Sequence, residues 1–420
     1  MRFFFFFRFL LGGGFRYHRS AVASLAGLYP GLDLKGYLAG IGFNAGLPLS
    51  VAQPEFFARL GVLLAADLGT FKLYLRWSLL HHLAAMLPLP FGLETFAFYG
   101  KALQGQGAPR PRWEQCLAHL NTGGLANALG KQYYDKVFGA ASQVVADQLF
   151  QDIRTAFVTN LADVSWLDAP TRAKATEKAK FAQGSLGGPR SWWDYSGLLK
   201  LGLSPDGADL FANAVTVATF AFERLVGKAG TPNVIDDWDI VTATPAAVPQ
   251  LVINQVTGVS ADTVLNPQTV SAFNPESPNY LLVPAAELQI PEFNASYPPS
   301  LLLGAAGATV GHEFTHGYDN VGHNFGKDGR LENWWTPRAN AQFQNRSECI
   351  AAQYSKFEPL PGVFIDGHFT LQEDIADCGG LKLAHLVYEG RIGGAGKAES
   401  IVPGVTNDQL FFLQFGQDWW

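Results

Sequence analysis

The chain has 420 residues and a mass of 45.6 kDa, which is long enough for two or three domains with a sizeable core. Apolar residues make up 48% and charged residues 16%, a composition that excludes a largely disordered chain. The net charge of −6 offers no basic surface to nucleic acid, so we expect no nucleic-acid partner.

Residues 1–70 are rich in Gly and Ala, and their hydrophobic periodicity is weak. We assign no function to them. The first residues, Met1 to Gly12, are apolar and basic, and they are interpreted as a signal sequence, an organelle transit peptide or a miscalled start. Arg8 interrupts the apolar run, which is shorter than the roughly 20 residues that cross a bilayer. A targeting role and membrane anchoring therefore both stay open.

Helical periodicity begins at Phe71 and returns at 142–161, where apolar residues recur every four positions. Asp168 is predicted to cap the next helix, with Pro170 in its first turn. Three lysines of that helix are predicted to line a solvated face: Lys174, Lys178 and Lys180. Residues 182–200 are predicted to form a Gly-rich loop, and 208–226 another helix.

The stretch 242–267 is nearly uncharged and is interpreted as a strand or a surface insertion. After it, Val270 to Phe273 and Tyr280 to Pro284 are predicted to be short strands. The sequence thus predicts a helix-rich fold with a small sheet placed just before residue 300.

One motif in the last third of the chain has the pattern His-Glu-x-x-His, at His312, Glu313 and His316. If residues 301–319 are helical, the two imidazoles project from one face and can reach one metal ion. Glu313 is offset by one position, so it suits a base that accepts a proton from a metal-activated water. The motif predicts a zinc hydrolase site.

A catalytic zinc site normally has three protein ligands, so a third one is needed. A metzincin would need Gly and His where Asp319 and Gly322 stand, and His323 comes one residue late. A common zinc aminopeptidase would need Glu at position 335, which is Trp335, and Glu332 comes three residues early. Neither class fits.

A second helical segment offers better candidates, because Glu373 and Asp377 are four residues apart and share a face. One carboxylate can bind zinc while the other accepts the ring N–H of a ligand histidine. Spacing alone does not say which carboxylate does which, and an ordinary acidic helix turn would look the same.

Several segments, in the same order, closely resemble the neprilysin and endothelin-converting enzyme family of zinc metallopeptidases. The resemblance runs from about Leu73 to Trp420. The segments that carry it are Gly311 to Asp319, Asn324 to Gly329, Trp334-Trp335, Glu373 to Leu381, Trp166 to Asp168, Trp193 to Tyr195, Pro284 to Gln289 and Phe411 to Phe415.

The resemblance implies a mainly α fold with a small β-sheet, in which a thermolysin-like zinc peptidase core is attached to part of a second, helical lobe. The implied domains are 71–240 for that lobe and 241–420 for the catalytic domain. The implied activity is zinc-dependent endopeptidase cleavage of short peptides. The implied location is secreted or at the cell surface, as a type II membrane protein would be.

The resemblance also implies roles for individual residues. His312, His316 and Glu373 would bind one Zn²⁺ per chain, with Glu313 as the catalytic base. Asp377 would support a ligand histidine, and Asp319 is another acid typical of the site.

A Ser271-Ala272 pair matches the family's Asn-Ala pair, which holds the substrate backbone on an edge strand. Serine is shorter than asparagine and lacks its amide, so we expect weaker anchoring. Glu292 stands where the family usually has Phe in a substrate pocket, and Asp418 is a second unexpected acid there. These acids predict a preference for basic over large apolar side chains.

Relative to the family, the chain is predicted to be partial, without part of the N-terminal lobe and without a C-terminal tail. That tail carries a His that stabilises the tetrahedral intermediate, and losing such a donor typically costs about 10²–10³ in rate. Cys116 and Cys349 match family disulfide cysteines whose partners would lie in the absent parts. The alternative function is therefore a catalytically impaired zinc- or peptide-binding remnant.

Overall fold

The computed structural model describes residues 19–51, 54–122, 124–198, 210–230, 238, 265–274 and 279–419. The apolar start of the chain lies outside the described residues, and so does the 242–264 part of the interpreted insertion. Among the described residues, no helix is both long enough and apolar enough to cross a membrane.

The fold is mainly helical, as predicted, with short strands. The strands are β1 Arg19–Ala21, β2 Pro48–Ser50, β3 Gln183–Gly187 and β4 Tyr280–Pro284. The helices of the first half are α1 Leu25–Leu28, α2 Leu34–Gly40, α3 Pro54–Ala66, α4 Leu68–Leu83, α5 Leu89–Thr95, α6 Arg112–Thr122, α7 Ala126–Val137, α8 Gly139–Asp163 and α9 Ala169–Phe181. The remaining helices are α10 Leu210–Gly227, α11 Pro299–Leu302, α12 Ala308–His316, α13 Pro337–Tyr354, α14 Gly367–Ile392 and α15 Asn407–Asp418.

Helix α9 begins where the sequence predicted. The Asp168 carboxylate accepts a hydrogen bond from the backbone N–H of Thr171, which satisfies one of the free donors at the helix start. The predicted solvated face is wrong at Lys178, which is only 1% exposed. This lysine points into the protein instead, because backbone carbonyl groups of a distant loop accept its N–H groups.

The sheet differs from its prediction in two places. Strand β3 lies within the predicted loop 182–200 and pairs in parallel with β4, with Gln183 opposite Tyr280 and Gly187 opposite Pro284. The predicted strand Val270 to Phe273 is reduced to a single antiparallel bridge between Phe273 and Leu282. Strand β4 therefore has a neighbour on each side, and all five of its residues are buried.

The main hydrophobic core gathers buried side chains from α8, β4, α12 and α14. At its centre α12 and α14 approach so closely that a Cβ added to Gly311 would lie 2.7 Å from the carbonyl oxygen of Gly380. Only glycine fits at such a contact. The close approach brings the part of α14 just before Gly380 alongside the His-Glu-x-x-His motif.

Candidate metal centre

The motif lies at the end of a continuous helical stretch that starts at Pro299, passes through a π-helical turn at Leu303–Gly307 and continues as α12. The predicted helix 301–319 therefore ends three residues early, with Gly317 as its C-cap. The Asp319 carboxylate explains the stop. It accepts hydrogen bonds from the backbone N–H groups of Val321 and Gly322, each at 2.7 Å, and so stabilises a turn in place of further helix.

The rings of His312 and His316 lie one turn apart on α12. Their centroids are 4.6 Å apart and their planes are nearly perpendicular, at 89°. His316 is buried, and the side chain of His312 is 12% exposed. Both imidazoles thus face one small region at the surface of the core.

Each histidine donates its Nδ1–H to a carboxylate. His312 donates to Asp377 at 2.6 Å, and His316 donates to Asp319 at 2.7 Å. A carboxylate can only accept, so these bonds place the proton of each neutral ring on Nδ1. The Nε2 lone pairs are then available for a metal ion, an arrangement common among metal-binding histidines.

Glu373 faces both free nitrogens. Its Oε2 lies 3.4 Å from Nε2 of His312 and 3.5 Å from Nε2 of His316. Glu313 is also near, because donor atoms of His312, Glu313 and His316 all lie within 4.8 Å of one another. The structure therefore brings two carboxylates to the two imidazoles, one from α14 and one from α12.

The charges of these groups stabilise one another. Burial lowers the pKa of His312, but its contacts with Asp377 and Glu373 outweigh burial and raise that pKa to about 9. Burial also disfavours the charged form of His316, whose contacts with Asp319 and Glu373 raise its pKa to about 10. Burial raises the pKa of Glu373, and the two histidines more than reverse this, so the pKa falls below its usual value. The cluster thus favours positive charge between its carboxylates.

The residues present fit a zinc ion. Two imidazole nitrogens and one carboxylate oxygen are the set of ligands found in many catalytic zinc sites. Here one oxygen of Glu373 lies about equally far from the two available nitrogens. Each histidine donates from Nδ1 to a carboxylate, which leaves its Nε2 to face Glu373.

The loop after α12 is held from outside the motif. The Lys178 ammonium donates to the carbonyl oxygens of Gly317 at 2.5 Å, Gly322 at 2.9 Å and Phe325 at 2.8 Å. These three acceptors match the three N–H groups of an ammonium ion. Burial lowers the pKa of Lys178 to about 7, and the charge of Asp319 opposes that shift. Lys178 thereby fixes the loop that carries Asp319.

The residues proposed to bind substrate lie next to α12. Ala272 is buried and Ser271 is partly buried, and the side-chain amide of Asn274 donates to the backbone carbonyl of Glu313. The hydroxyl of Ser271 makes only a local contact, 3.3 Å from the carbonyl oxygen of Ala272. Asn274 therefore ties this segment to the motif.

The two residues that spacing rejected as ligands have other contacts. His323 donates from Nδ1 to the carbonyl oxygen of Asp319 at 2.8 Å, and its ring packs against Trp335 and Phe343. Glu332 lies 3.9 Å from the ammonium of Lys174.

Comparison with known proteins agrees with this geometry. Two models of peptidase family M13 match the chain, one over residues 15–189 and one over 271–420. The chain belongs to peptidase family M13. It is 31% identical to neprilysin of Oryctolagus cuniculus over 377 residues, and 29% identical to endothelin-converting enzyme 1 of Rattus norvegicus over 412 residues.

Among solved M13-like structures, the chain is similar to the Mycobacterium tuberculosis zinc metalloprotease Zmp1 in complex with an inhibitor. The TM-score is 0.79 at 27% identity, over 96% of this chain and 57% of that one. The chain also spans about half the length of the curated M13 relatives, 46% of the rabbit neprilysin and 50% of the rat enzyme.

Sequence reasoning missed two residues that hold segments of this candidate site in place, Lys178 and Asn274. Lys178 has no signal in the sequence, because the groups that it binds are backbone carbonyls 139 to 147 residues away. Asn274 directly follows the Ser271 to Phe273 segment. Its position, as a polar residue at the end of an apolar strand pattern, was the sequence signal that could have identified it.

Proposed function

We propose that this chain is a zinc endopeptidase that hydrolyses short peptides, with His312, His316 and Glu373 as the ligands of one Zn²⁺. The observation that carries the proposal is the pair of histidines whose Nδ1 atoms are bound to carboxylates while their Nε2 atoms face Glu373. The M13 relationship supports the same reaction class.

A zinc ion bound here would polarise a peptide carbonyl and make a water molecule acidic near neutral pH. Glu313 then acts as the base: its carboxylate accepts a proton from the attacking water and delivers it to the leaving amine. Asp377 and Asp319 keep the two imidazoles in the required tautomer and orientation. The side-chain amide of Asn274 donates a hydrogen bond to the backbone carbonyl of Glu313, which keeps this backbone next to the segment that would hold substrate.

Ser271 and Ala272 are proposed to hold the substrate backbone beside β4 by strand addition. Residues 241–420 are proposed as the catalytic domain, and 71–240 as part of a helical lobe. We also propose a secreted or cell-surface location, by analogy with M13 relatives.

The test compares the full chain with Glu313→Gln and with Glu332→Gln, an exposed acid that serves as a matched control. Bound zinc is measured in each protein together with cleavage of a quenched fluorescent peptide. We expect one zinc per chain in all three proteins. We also expect cleavage to fall by about 10²–10⁴-fold in Glu313→Gln, the usual contribution of a general base, and to stay unchanged in Glu332→Gln.

Two results would count against the proposal. If the chain bound zinc but showed no cleavage that Glu313→Gln abolishes, the alternative function would be favoured, a catalytically impaired zinc- or peptide-binding remnant. If the chain bound no zinc, the proposal that His312, His316 and Glu373 form a zinc site would be wrong.

A further inference from the structure

Two segments of the chain have the pattern Asn-x-Ser in which x is not proline, the acceptor motif for N-linked oligosaccharides. One is Asn294-Ala295-Ser296, between β4 and α11, and the other is Asn345-Arg346-Ser347, within α13. So short a motif also arises by chance, and its sequence alone does not identify a modification site. The structure separates the two motifs, because it places them in different local conformations.

The first motif forms a turn at the surface. The backbone carbonyl oxygen of Asn294 accepts a hydrogen bond from the N–H of Tyr297 at 3.0 Å. Its side-chain Oδ1 accepts two more, from the backbone N–H of Ser296 at 2.9 Å and from the Ser296 hydroxyl at 2.7 Å. Both side-chain bonds use Oδ1, so they do not engage Nδ2, the nitrogen that N-glycosylation modifies. Asn294 is partly exposed and Ser296 is exposed, so the turn presents the amide and the hydroxyl side by side.

The turn is anchored on both sides, so its place at the surface follows from the fold. Before it, the ring of Phe293 is buried, and its centroid lies 5.9 Å from that of Phe138. After it, Pro299 begins α11 and Ser300 is fully buried. A sugar chain on Asn294 would therefore extend outward from a fixed point and would not displace the core.

The second motif has the opposite geometry. Asn345 and Ser347 lie inside α13, which runs from Pro337 to Tyr354. Side chains two residues apart on a helix do not face each other, and Ser347 is only 7% exposed. The motif requires a hydroxyl residue two positions after the asparagine, so the enzyme must contact both side chains. On α13 it cannot reach the two together.

Both conformations depend on contacts that are local in the sequence. The bonds of the Asn294 turn join residues two or three apart. Helix α13 is capped by Thr336, whose hydroxyl accepts a hydrogen bond from the N–H of Ala339 at 3.2 Å. Local structure forms within about microseconds, whereas a chain is synthesised at about 5–20 residues per second. The two motifs can therefore differ already when the new chain meets the enzyme.

We propose that Asn294 is an N-glycosylation site and that Asn345 is not. The donor is an oligosaccharide linked to a lipid pyrophosphate. Nδ2 of Asn294 forms a bond with C1 of the first sugar, the lipid pyrophosphate leaves, and the nitrogen loses one proton. The proposal rests on the proposed secreted or cell-surface location, because chains receive this modification when they enter the secretory pathway.

The test uses the full chain expressed in cultured mammalian cells, once as it stands and once with a cleavable secretory signal peptide added. Total cell protein and medium are treated with peptide N-glycosidase F, which removes the sugar and converts the modified Asn to Asp. Gel mobility and mass spectrometry of the peptides then report the occupied position. For the chain with the added signal, we expect the treatment to remove one glycan and to leave Asp at position 294.

Substitutions locate the modification. Asn294→Gln should abolish the mobility shift, and so should Ser296→Ala, which keeps the asparagine. Ser296→Thr should retain the shift, because threonine also completes the motif. Asn345→Gln is the matched control and should leave the shift unchanged. Glycans are counted in total protein, so a variant that is poorly secreted still gives a result.

The proposal would be overturned if the added signal were cleaved and Asn294 remained unmodified. A glycan at Asn345 as abundant as that at Asn294 would also overturn it, since local geometry would then not decide the site. The two versions of the chain separate the site from the location. A glycan at Asn294 that appears only with the added signal would support the site and count against the proposed secreted or cell-surface location.

Discussion

The two histidines of the metal centre are held in different ways. His316 donates to Asp319, which is fully buried, lies three residues later and also accepts two backbone N–H bonds. His312 donates to Asp377, whose side chain is 29% exposed and which lies on α14. The His316 half of the site, His316 with Asp319, is thus a buried pair within one loop. The His312 half, His312 with Asp377, depends on the packing of two helices.

This difference shows where each half is vulnerable. The His316 half depends on the loop after α12, which Lys178 holds through three carbonyl groups. The His312 half depends on the close approach of Gly311 and Gly380, which sets the distance between α12 and α14. Charges in the buried half are less screened by water. Substitutions there should therefore have the larger effects.

The largest effect is expected from Lys178→Met, which keeps the length of the side chain and removes its charge. Three buried carbonyl oxygens lose their donor, so the free energy of unfolding should fall by about 3–5 kcal/mol, as when one member of a buried charged network is lost. Urea denaturation followed by circular dichroism measures this change. Lys180→Met, two residues along the same helix and exposed, should change stability by less than about 0.5 kcal/mol. Equal effects of the two substitutions would show that Lys178 does not hold the loop.

Asp319→Asn should come next, through zinc affinity. The amide keeps the size of the carboxylate but lacks its charge, and it cannot offer acceptors on both sides to His316 and to the backbone of Val321 and Gly322. We expect zinc to bind about 100-fold more weakly, the upper end of the usual effect of a residue that orients a metal ligand. Competition with a chromophoric chelator measures the affinity, and a loss below 3-fold would be incompatible with this role.

Asp377→Asn should have a smaller effect, near 10-fold in zinc affinity, at the lower end of that range. Its carboxylate is partly exposed, so water can replace part of the lost interaction with His312. The same chelator competition applies. If Asp377→Asn proved more damaging than Asp319→Asn, the contrast between the two halves would be reversed.

The sequence predicted much of the helical framework of the site because its signals are local. His312 and His316, like Glu373 and Asp377, are four residues apart, and this spacing places each pair on one helical face. The Asp168 cap is equally local, since its side chain binds a backbone N–H three residues later.

What the sequence could not predict depends on contacts between distant segments. Charge spacing along α9 indicated a solvated Lys178, yet its partners are carbonyl groups that every residue possesses. Strand β3 was not predicted because its Gly-rich sequence has no strand pattern of its own. The strand forms through its pairing with β4. Asp319 likewise ends α12 through side-chain bonds to the backbone, which shortened the predicted helix.

We propose that Glu373 binds the metal and that Glu313 acts as the base, although both carboxylates lie near the two imidazoles. The most direct test is the zinc dissociation constant of the full chain compared with Glu373→Gln and Glu313→Gln. We expect Glu373→Gln to weaken zinc binding by more than about 100-fold, beyond what the loss of an orienting partner costs, and Glu313→Gln to change it by less than about 3-fold. The opposite order, with zinc lost in Glu313→Gln and retained in Glu373→Gln, would contradict it.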